Sequence, residues 1–202
     1  MLTLSNIAPG RFEPFAWENE PVAWACLPNQ GLRIYAPSHT DLFVDPMGVA
    51  NADSAPFLWA SVTGDFVARL HVQPGFQADY DAGGLLVRQD DAHWIKLAYE
   101  RTDLGNPAIV SVVTNGISDD ANGADLNSPS VWLQMARVGD VFALHYALDG
   151  EHWRMTRLCK LPMHQTVRVG AIAQSPRGVG CAVDWLALSI ESRTLSRPRA
   201  GL

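Results

Sequence analysis

The stretch Asp81-Ala-Gly-Gly-Leu-Leu-Val-Arg-Gln-Asp-Asp-Ala-His-Trp-Ile-Lys-Leu-Ala-Tyr-Glu100 decides how the chain should be read. Successive side chains of a strand point to opposite faces of a sheet. Read as a hairpin turning at Gln89 to His93, the stretch puts Leu85, Val87, Ile95, Leu97 and Tyr99 on one apolar face. Leu86, Arg88, Trp94, Lys96, Ala98 and Glu100 take the other. Plain solvent does not call for an indole beside that charge set, and a core would not accept the charges unpaired. The second face therefore reads as the floor of a groove that holds something polar.

The same alternation recurs along the chain, and helical periodicity is hard to find. Strands are expected over Leu32–Ala36, Phe57–Ser61, Asp65–Val72, Gly83–Arg88, Trp94–Glu100 and Ala108–Thr114. Further strands are expected over Val131–Arg137, Val141–Leu148, Trp153–Leu158, Val167–Ala173 and Ala182–Ile190. Turn signals such as Gln73-Pro-Gly75, Gly105-Asn-Pro107, Val138-Gly-Asp140 and Leu148-Asp-Gly150 separate them. Many short strands at this spacing predict an all-β antiparallel sandwich or barrel. The chain of 202 residues is expected to form a single β-sandwich domain over 1–190, with 191–202 as a flexible tail.

A net charge of −6 argues against a nucleic-acid partner, which would require a basic patch or stripe. No apolar run approaches the ~18 residues of a membrane span, so no membrane partner is expected. The first residues lack the basic and apolar regions of a secretory signal. Cys26, Cys159 and Cys181 are odd in number and widely spaced, fitting neither a disulfide framework nor a zinc pair. Together these features point to the cytoplasm.

Pairing Val131–Arg137 with Val141–Leu148 gives a second two-faced hairpin. Leu133, Met135, Phe142, Leu144 and Tyr146 share the apolar face, and Trp132, Gln134, Ala136, Ala143, His145 and Ala147 share the other. The expected ligand-binding set is Arg88, Trp94, Lys96, Glu100, Trp132, Gln134 and His145, gathered on one sheet face. Indoles stack on a ligand, while charged and amide groups satisfy its polar atoms. Lys96 and Glu100 lie about 13 Å apart along one strand, too far to pair directly, so neighbouring Arg88 or Gln134 are their expected partners.

Catalytic signals are sparse. Glycoside hydrolysis normally uses two carboxylates, and the groove face of 94–100 offers Glu100 alone. Asp65, Asp79, Asp119 and Asp184 would have to reach it through tertiary structure. His145 could serve as a base because imidazole titrates near neutrality. A hydrogen-bonded structural histidine is the plainer reading. Glu100 and His145 are thus the catalytic candidates only if the protein is an enzyme. His39, His71, His93, His152 and His164 show no metal-ligand spacing. Asn115 to Ser130 reads as a long polar rim loop crowded with Asp119, Asp120, Asn122, Asp125 and Asn127. Such oxygens can ligate calcium, but the ordered pattern of a calcium loop is missing. No metal and no cofactor are expected.

Several motifs resemble the regulation-of-enolase-like family, a domain of unknown function in the concanavalin A-like lectin/glucanase superfamily. They are Asp81-Ala-Gly-Gly-Leu-Leu-Val-Arg88, His93-Trp-Ile-Lys-Leu-Ala-Tyr-Glu100, Ser111-Val-Val-Thr-Asn115, Val131-Trp-Leu-Gln-Met-Ala-Arg-Val-Gly-Asp140 and Leu148-Asp-Gly-Glu-His-Trp153. Phe15-Ala-Trp-Glu-Asn-Glu-Pro21 and Thr40-Asp41 fit as well. The resemblance implies a jelly-roll sandwich of two antiparallel sheets whose concave face, in relatives of the superfamily, often binds carbohydrate. It implies no established activity. The chain departs from the family pattern at Gln134, Ala147 and Asp120. The leading expectation is a binding module for a carbohydrate or similar polar small molecule. The alternatives are a protein-interaction domain regulating a metabolic enzyme, suggested by the family's name, and a glycoside-acting enzyme using Glu100.

Overall fold

The computed structural model describes residues 1–8 and 11–202. Its strands, in chain order, begin with β1 (Leu2–Thr3), β2 (Ala16–Glu18), β3 (Trp24–Cys26), β4 (Leu32–Pro37), β5 (Leu42–Val44) and β6 (Asn51–Asp53). Next come β7 (Phe57–Thr63), β8 (Phe66–Pro74), β9 (Ala82–Arg88), β10 (His93–Arg101), β11 (Pro107–Asn115) and β12 (Ile117–Asp125). The last are β13 (Val131–Val138), β14 (Val141–Ala147), β15 (Arg154–Lys160), β16 (Thr166–Gln174) and β17 (Gly180–Glu191). Every strand expected from alternation is present, its ends moved by at most two residues.

The strands form two antiparallel sheets packed as a sandwich. One runs β15-β14-β13-β8-β17-β4-β3, with β1 also on β17; the other runs β12-β11-β10-β9-β16-β7-β2. Strands β5 and β6 pair only with each other. Leu85, Val87, Ile95, Leu97 and Tyr99 from one hairpin meet Leu133, Met135, Phe142, Leu144 and Tyr146 from the other in a single buried core. Both sets lie on the core side as alternation predicts, and a one-residue slip would turn each toward water. The sheets approach closely at Gly83, where a Cβ would collide with the side chains of Val183 and Val72.

Three expectations need correction. The two hairpins lie in opposite sheets, since β13 pairs with β8 and not with any strand of the β9–β10 sheet. Trp132, Gln134 and His145 therefore face away from Arg88, Trp94, Lys96 and Glu100, across the thickness of the sandwich. Both sheets of a sandwich have a polar outer face, so two-faced hairpins alone do not reveal which sheet each joins. The polar stretch after Asn115 is no loop over 117–125 but the edge strand β12, bonded to β11. Its Asp and Asn residues suit an exposed edge that must not recruit another strand. The segment 191–202, expected to be flexible, is docked. Leu195 is buried against Val67 and Ala136, and the Gly201 carbonyl accepts a hydrogen bond from Gln134 Nε2 at 3.1 Å.

Among the described residues, no helix is long and apolar enough to cross a membrane.

Candidate functional site

Alternation along the seven-stranded sheet sends Lys96, Ala98 and Glu100 of β10 to its outer face. Beside them stand Val110 and Val112 of β11, Asp120 of β12 and Gln174 of β16. The β5–β6 hairpin folds back over this face. Leu42 packs in one apolar cluster with Phe57, Leu86, Trp94, Val110, Val112 and Ile172, flanked by Phe43 and Val44. The Val44 amide donates to Ser118 Oγ at 3.0 Å and holds the hairpin against β12.

Beside the hairpin a cavity of about 520 Å³ remains open. That lies within the range of about 300–1,000 Å³ typical of small-molecule sites. Its floor is Lys96, Glu100, Val110, Val112 and Gln174; Asp41, Phe43, Ala52, Tyr80 and Asp120 stand around it. Glu100 faces the cavity between small cross-strand neighbours, Ala82 and Ala108.

The electrostatics of the floor are uneven. The buried Lys96 ammonium donates to the Leu42 carbonyl and to Gln174 Oε1, each at 2.9 Å, and lies 3.8 Å from Asp41 Oδ1. It is well partnered. Glu100 is only 7% exposed, and among the described residues no hydrogen-bond donor meets its carboxyl. Burial pushes its pKa up to about 8, with Lys96 pulling it down and Asp120, Asp41 and Asp103 adding to the rise. Asp120, at the cavity rim, is raised as well, by desolvation that Lys96 partly offsets. A carboxyl that stays protonated at neutral pH can donate a hydrogen bond or a proton, which an ordinary Glu cannot.

Two cavity-lining residues carry left-handed backbone. His39 has φ +60° and Tyr80 has φ +68°, uncommon conformations for side chains of this size. Both are fixed from behind. The Tyr80 amide donates to the Arg101 carbonyl at 2.6 Å. Fully buried Asp81 accepts from the Gln77 and Ala78 amides and from Ser175 Oγ. Ser175 in turn bridges to Thr40, next to His39. Strain held by such a network is a frequent property of binding sites.

The remaining sequence-predicted residues do other work. Arg88 is buried in an ion network with Glu18, Asp53 and Asp91, at 2.6, 2.6 and 2.7 Å. It fastens β2, the end of β6 and the β9–β10 turn together, and does not touch Glu100. Trp94 is fully buried under the hairpin and offers no stacking face. On the far side of the molecule, Gln134 bonds Arg69 and Gly201, and Trp132 stacks on His71 with ring centroids 4.5 Å apart. His145 is fully buried beside the Pro198 and Arg199 backbone, and burial lowers its pKa. Asp65, Asp79, Asp119 and Asp184, considered as partners for Glu100, instead serve Gly139, Arg101, Arg157 and Arg33. Asp41, Asp45 and Asp120 are the carboxylates that share its cavity. The acidic side chains of β12 diverge, with Asp119 on Arg157 and Asp120 toward the cavity.

Asp41, Tyr80 and Gln174 carry no signal of the cavity in the sequence, whereas Asp120, a departure from the family pattern near the groove or its rim, does line it. Its place would have been found had 117–125 been read as a strand pairing with β11, since alternation then puts it opposite Val112.

Comparison with known proteins agrees with this architecture. The family described as "Protein of unknown function (DUF1349)" matches residues 17–193. The chain belongs to the DUF1349 family. A relative named "Regulation of enolase protein 1", from Saccharomyces cerevisiae, is 31% identical over 147 residues, covering 72% of this chain and 74% of the relative. The crystal structure of a functionally unknown protein from Saccharomyces cerevisiae superposes with a TM-score of 0.81 at 26% identity, over 90% of this chain and 97% of that one. A GH43 protein, BlXynB of Bacillus licheniformis, gives 0.65 at 14% identity over 86% of this chain, which spans only 35% of that enzyme. The VIP36 exoplasmic/lumenal domain, in a Ca²⁺/Man3GlcNAc-bound form, gives 0.59 at 12% identity over 96% and 89% of the two chains. The last two likenesses bear on the fold alone. The chain is thus a two-sheet sandwich whose fold is shared with these structures.

Proposed function

We propose that this DUF1349 domain is a binding module whose cavity takes a carbohydrate or similar hydroxylated small molecule. The observation that carries the reading is Glu100, buried in the floor of a ligand-sized cavity with no hydrogen-bond partner among the described residues. A carboxyl that faces an open cavity from a largely desolvated floor, with no protein donor, gains from a ligand that supplies one. Tyr80, Gln174, Asp41 and Asp120 supply further polar atoms around the same space, and Val110, Val112 and Phe43 supply apolar surface. The free thiols of Cys26, Cys159 and Cys181 support a reducing, cytoplasmic setting.

The test is a thermal-shift screen over neutral sugars, polyols and sugar acids, followed by calorimetry on whatever binds. Asp120→Ala, which removes a rim carboxylate, and Ala52→Trp, which fills the cavity, should each weaken binding at least tenfold. Unchanged affinity in both folded variants would remove the site from this cavity. A second reading, regulation of a metabolic enzyme through protein contact, draws on the printed name of the yeast relative. A third, glycoside chemistry, draws on the high pKa of Glu100 beside Asp120. Turnover of a glycoside that is lost in Glu100→Gln would establish it.

A further inference from the structure

We propose that the ligand of this cavity carries an ammonium group, seated against Glu100, on a hydroxylated frame. The inference rests on reading the cavity as a small-molecule site and goes on to name the ligand's charge.

The argument begins with which charges face the space. Four carboxyls face it: Asp41 and Asp45 at the two ends of β5, Glu100 on β10 and Asp120 on β12. Asp103, in the turn after β10, adds to the same field at Glu100. Against these stand Lys96 and Arg177, with His39 and Tyr80 also lining the space. Lys96, the cation of the floor, is not free to receive an anionic ligand, and Arg177 stands away from the floor. Lys96 spends its donors on Leu42, Gln174 and the nearby Asp41. Arg177 is exposed at the mouth, its guanidinium 5.9 Å from the centre of the Tyr80 ring. A carboxylate or phosphate reaching the floor would meet the carboxylates of Asp41 and Asp120 without an unengaged positive partner there. Like charges brought together away from water repel strongly.

A neutral polyol could accept a hydrogen bond from protonated Glu100. An ammonium does more. It supplies both the missing donor and the missing counter-charge at a group already more than nine-tenths buried. Charge-assisted hydrogen bonds are about twice as strong as neutral ones. Because burial keeps Glu100 largely protonated at pH 7, seating a cation there expels its proton to solvent. Binding must then strengthen as pH rises toward 8, by close to tenfold per unit well below that point, and level off above it.

Three acyclic hexitols differing only at one terminus test this directly: glucamine with an ammonium, sorbitol with a hydroxyl and gluconate with a carboxylate. Calorimetry on the full chain should give glucamine at least a tenfold advantage over sorbitol at pH 7, with gluconate the weakest. The glucamine advantage should grow about tenfold between pH 6 and 7. Titrations in buffers of different ionisation enthalpy should show release of most of one proton. In Glu100→Gln, checked for folding by circular dichroism, the proton release and the pH dependence should vanish. Sorbitol or gluconate binding as tightly as glucamine, or glucamine binding without proton release, overturns the ammonium assignment and leaves the cavity a polyol site. If all three fail to bind at millimolar concentration, both the assignment and the small-molecule reading fall.

Discussion

Replacing Glu100 by Gln should stabilise the protein, and by an amount that depends on pH. A glutamate in an unfolded chain titrates at its ordinary value of 4.5, whereas burial raises the folded group to about 8. Between those values the folded state binds more protons than the unfolded state, so stability falls as pH rises through the window. At about 1.4 kcal/mol per tenfold, the full separation corresponds to roughly 5 kcal/mol above pH 8, and to roughly 3 kcal/mol at pH 7. Glutamine keeps the shape and cannot ionise. The variant's advantage should therefore be small near pH 5 and grow toward pH 9. For a protein of this size about 2–4 °C of Tm accompanies each kcal/mol, so the two melting curves should diverge by roughly 10 °C over that range. Scanning calorimetry of both proteins from pH 5 to 9 measures it directly. Tm profiles that stay parallel would mean the Glu100 carboxyl is hydrated and titrates normally. That result would remove the electrostatic basis of the proposed site.

Other consequences follow from the corrected placements. Trp94→Ala should cost about 3–5 kcal/mol in denaturant unfolding, because the indole is fully buried beneath the hairpin; a cost under about 1 kcal/mol would contradict that burial. Arg88→Ala should cost roughly 1–3 kcal/mol at neutral pH by removing the buried guanidinium that holds Asp53 and Asp91 and shares Glu18 with Arg168. Since the Arg88 hydrogen bond holds Asp53 below its ordinary pKa, that stability is present above about pH 4 and lost in acid. The stability gap between wild type and variant should accordingly narrow as pH falls, read from urea midpoints. Gly201→Ala should cost about 1–2 kcal/mol, because φ there is +74° and the added Cβ would come within 3.0 Å of Gln134 Nε2 and Trp153 Cβ. Faster limited proteolysis of the C-terminal segment should accompany it.

What the sequence disclosed was whatever depends on local alternation. The core faces of both hairpins, the turns and the antiparallel architecture follow from period-two patterns set by neighbours a few residues away. Pairing between distant strands does not. Nothing in the two-faced pattern of Val131–Arg137 says that Phe66–Pro74 is its neighbour and that Ala82–Arg88 is not, and this one pairing decides whether Trp132, Gln134 and His145 meet Lys96. The site itself was half legible. The face that Lys96 and Glu100 share, which lines the cavity, follows from alternation alone, while the burial of Trp94 does not, because its cover, Leu42–Val44, is a three-residue strand too short to show a period. The β12 edge was hidden by residues that disfavour strands in isolation and suit an exposed edge.

The cavity also explains why its two central residues behave so differently despite sharing a strand face. Lys96 lies where the hairpin returns, so the Leu42 carbonyl and Asp41 reach it, and Gln174 meets it from β16. Glu100 lies four residues further on, beyond the reach of the hairpin's polar groups and between two alanines. Folding thus satisfies the cation and leaves the acid with no donor. The resulting cost, roughly 3 kcal/mol at neutral pH, is a large fraction of the 5–15 kcal/mol by which proteins are typically stable. The left-handed backbones of His39 and Tyr80 add strain at the same cavity. A glutamine at position 100, or glycines at 39 and 80, would relieve these costs without touching the inter-sheet core. Asn19 and Gln30 carry the same left-handed backbone away from the cavity, so it is the donorless acid of Glu100, more than the strain, that marks the cavity as shaped for binding.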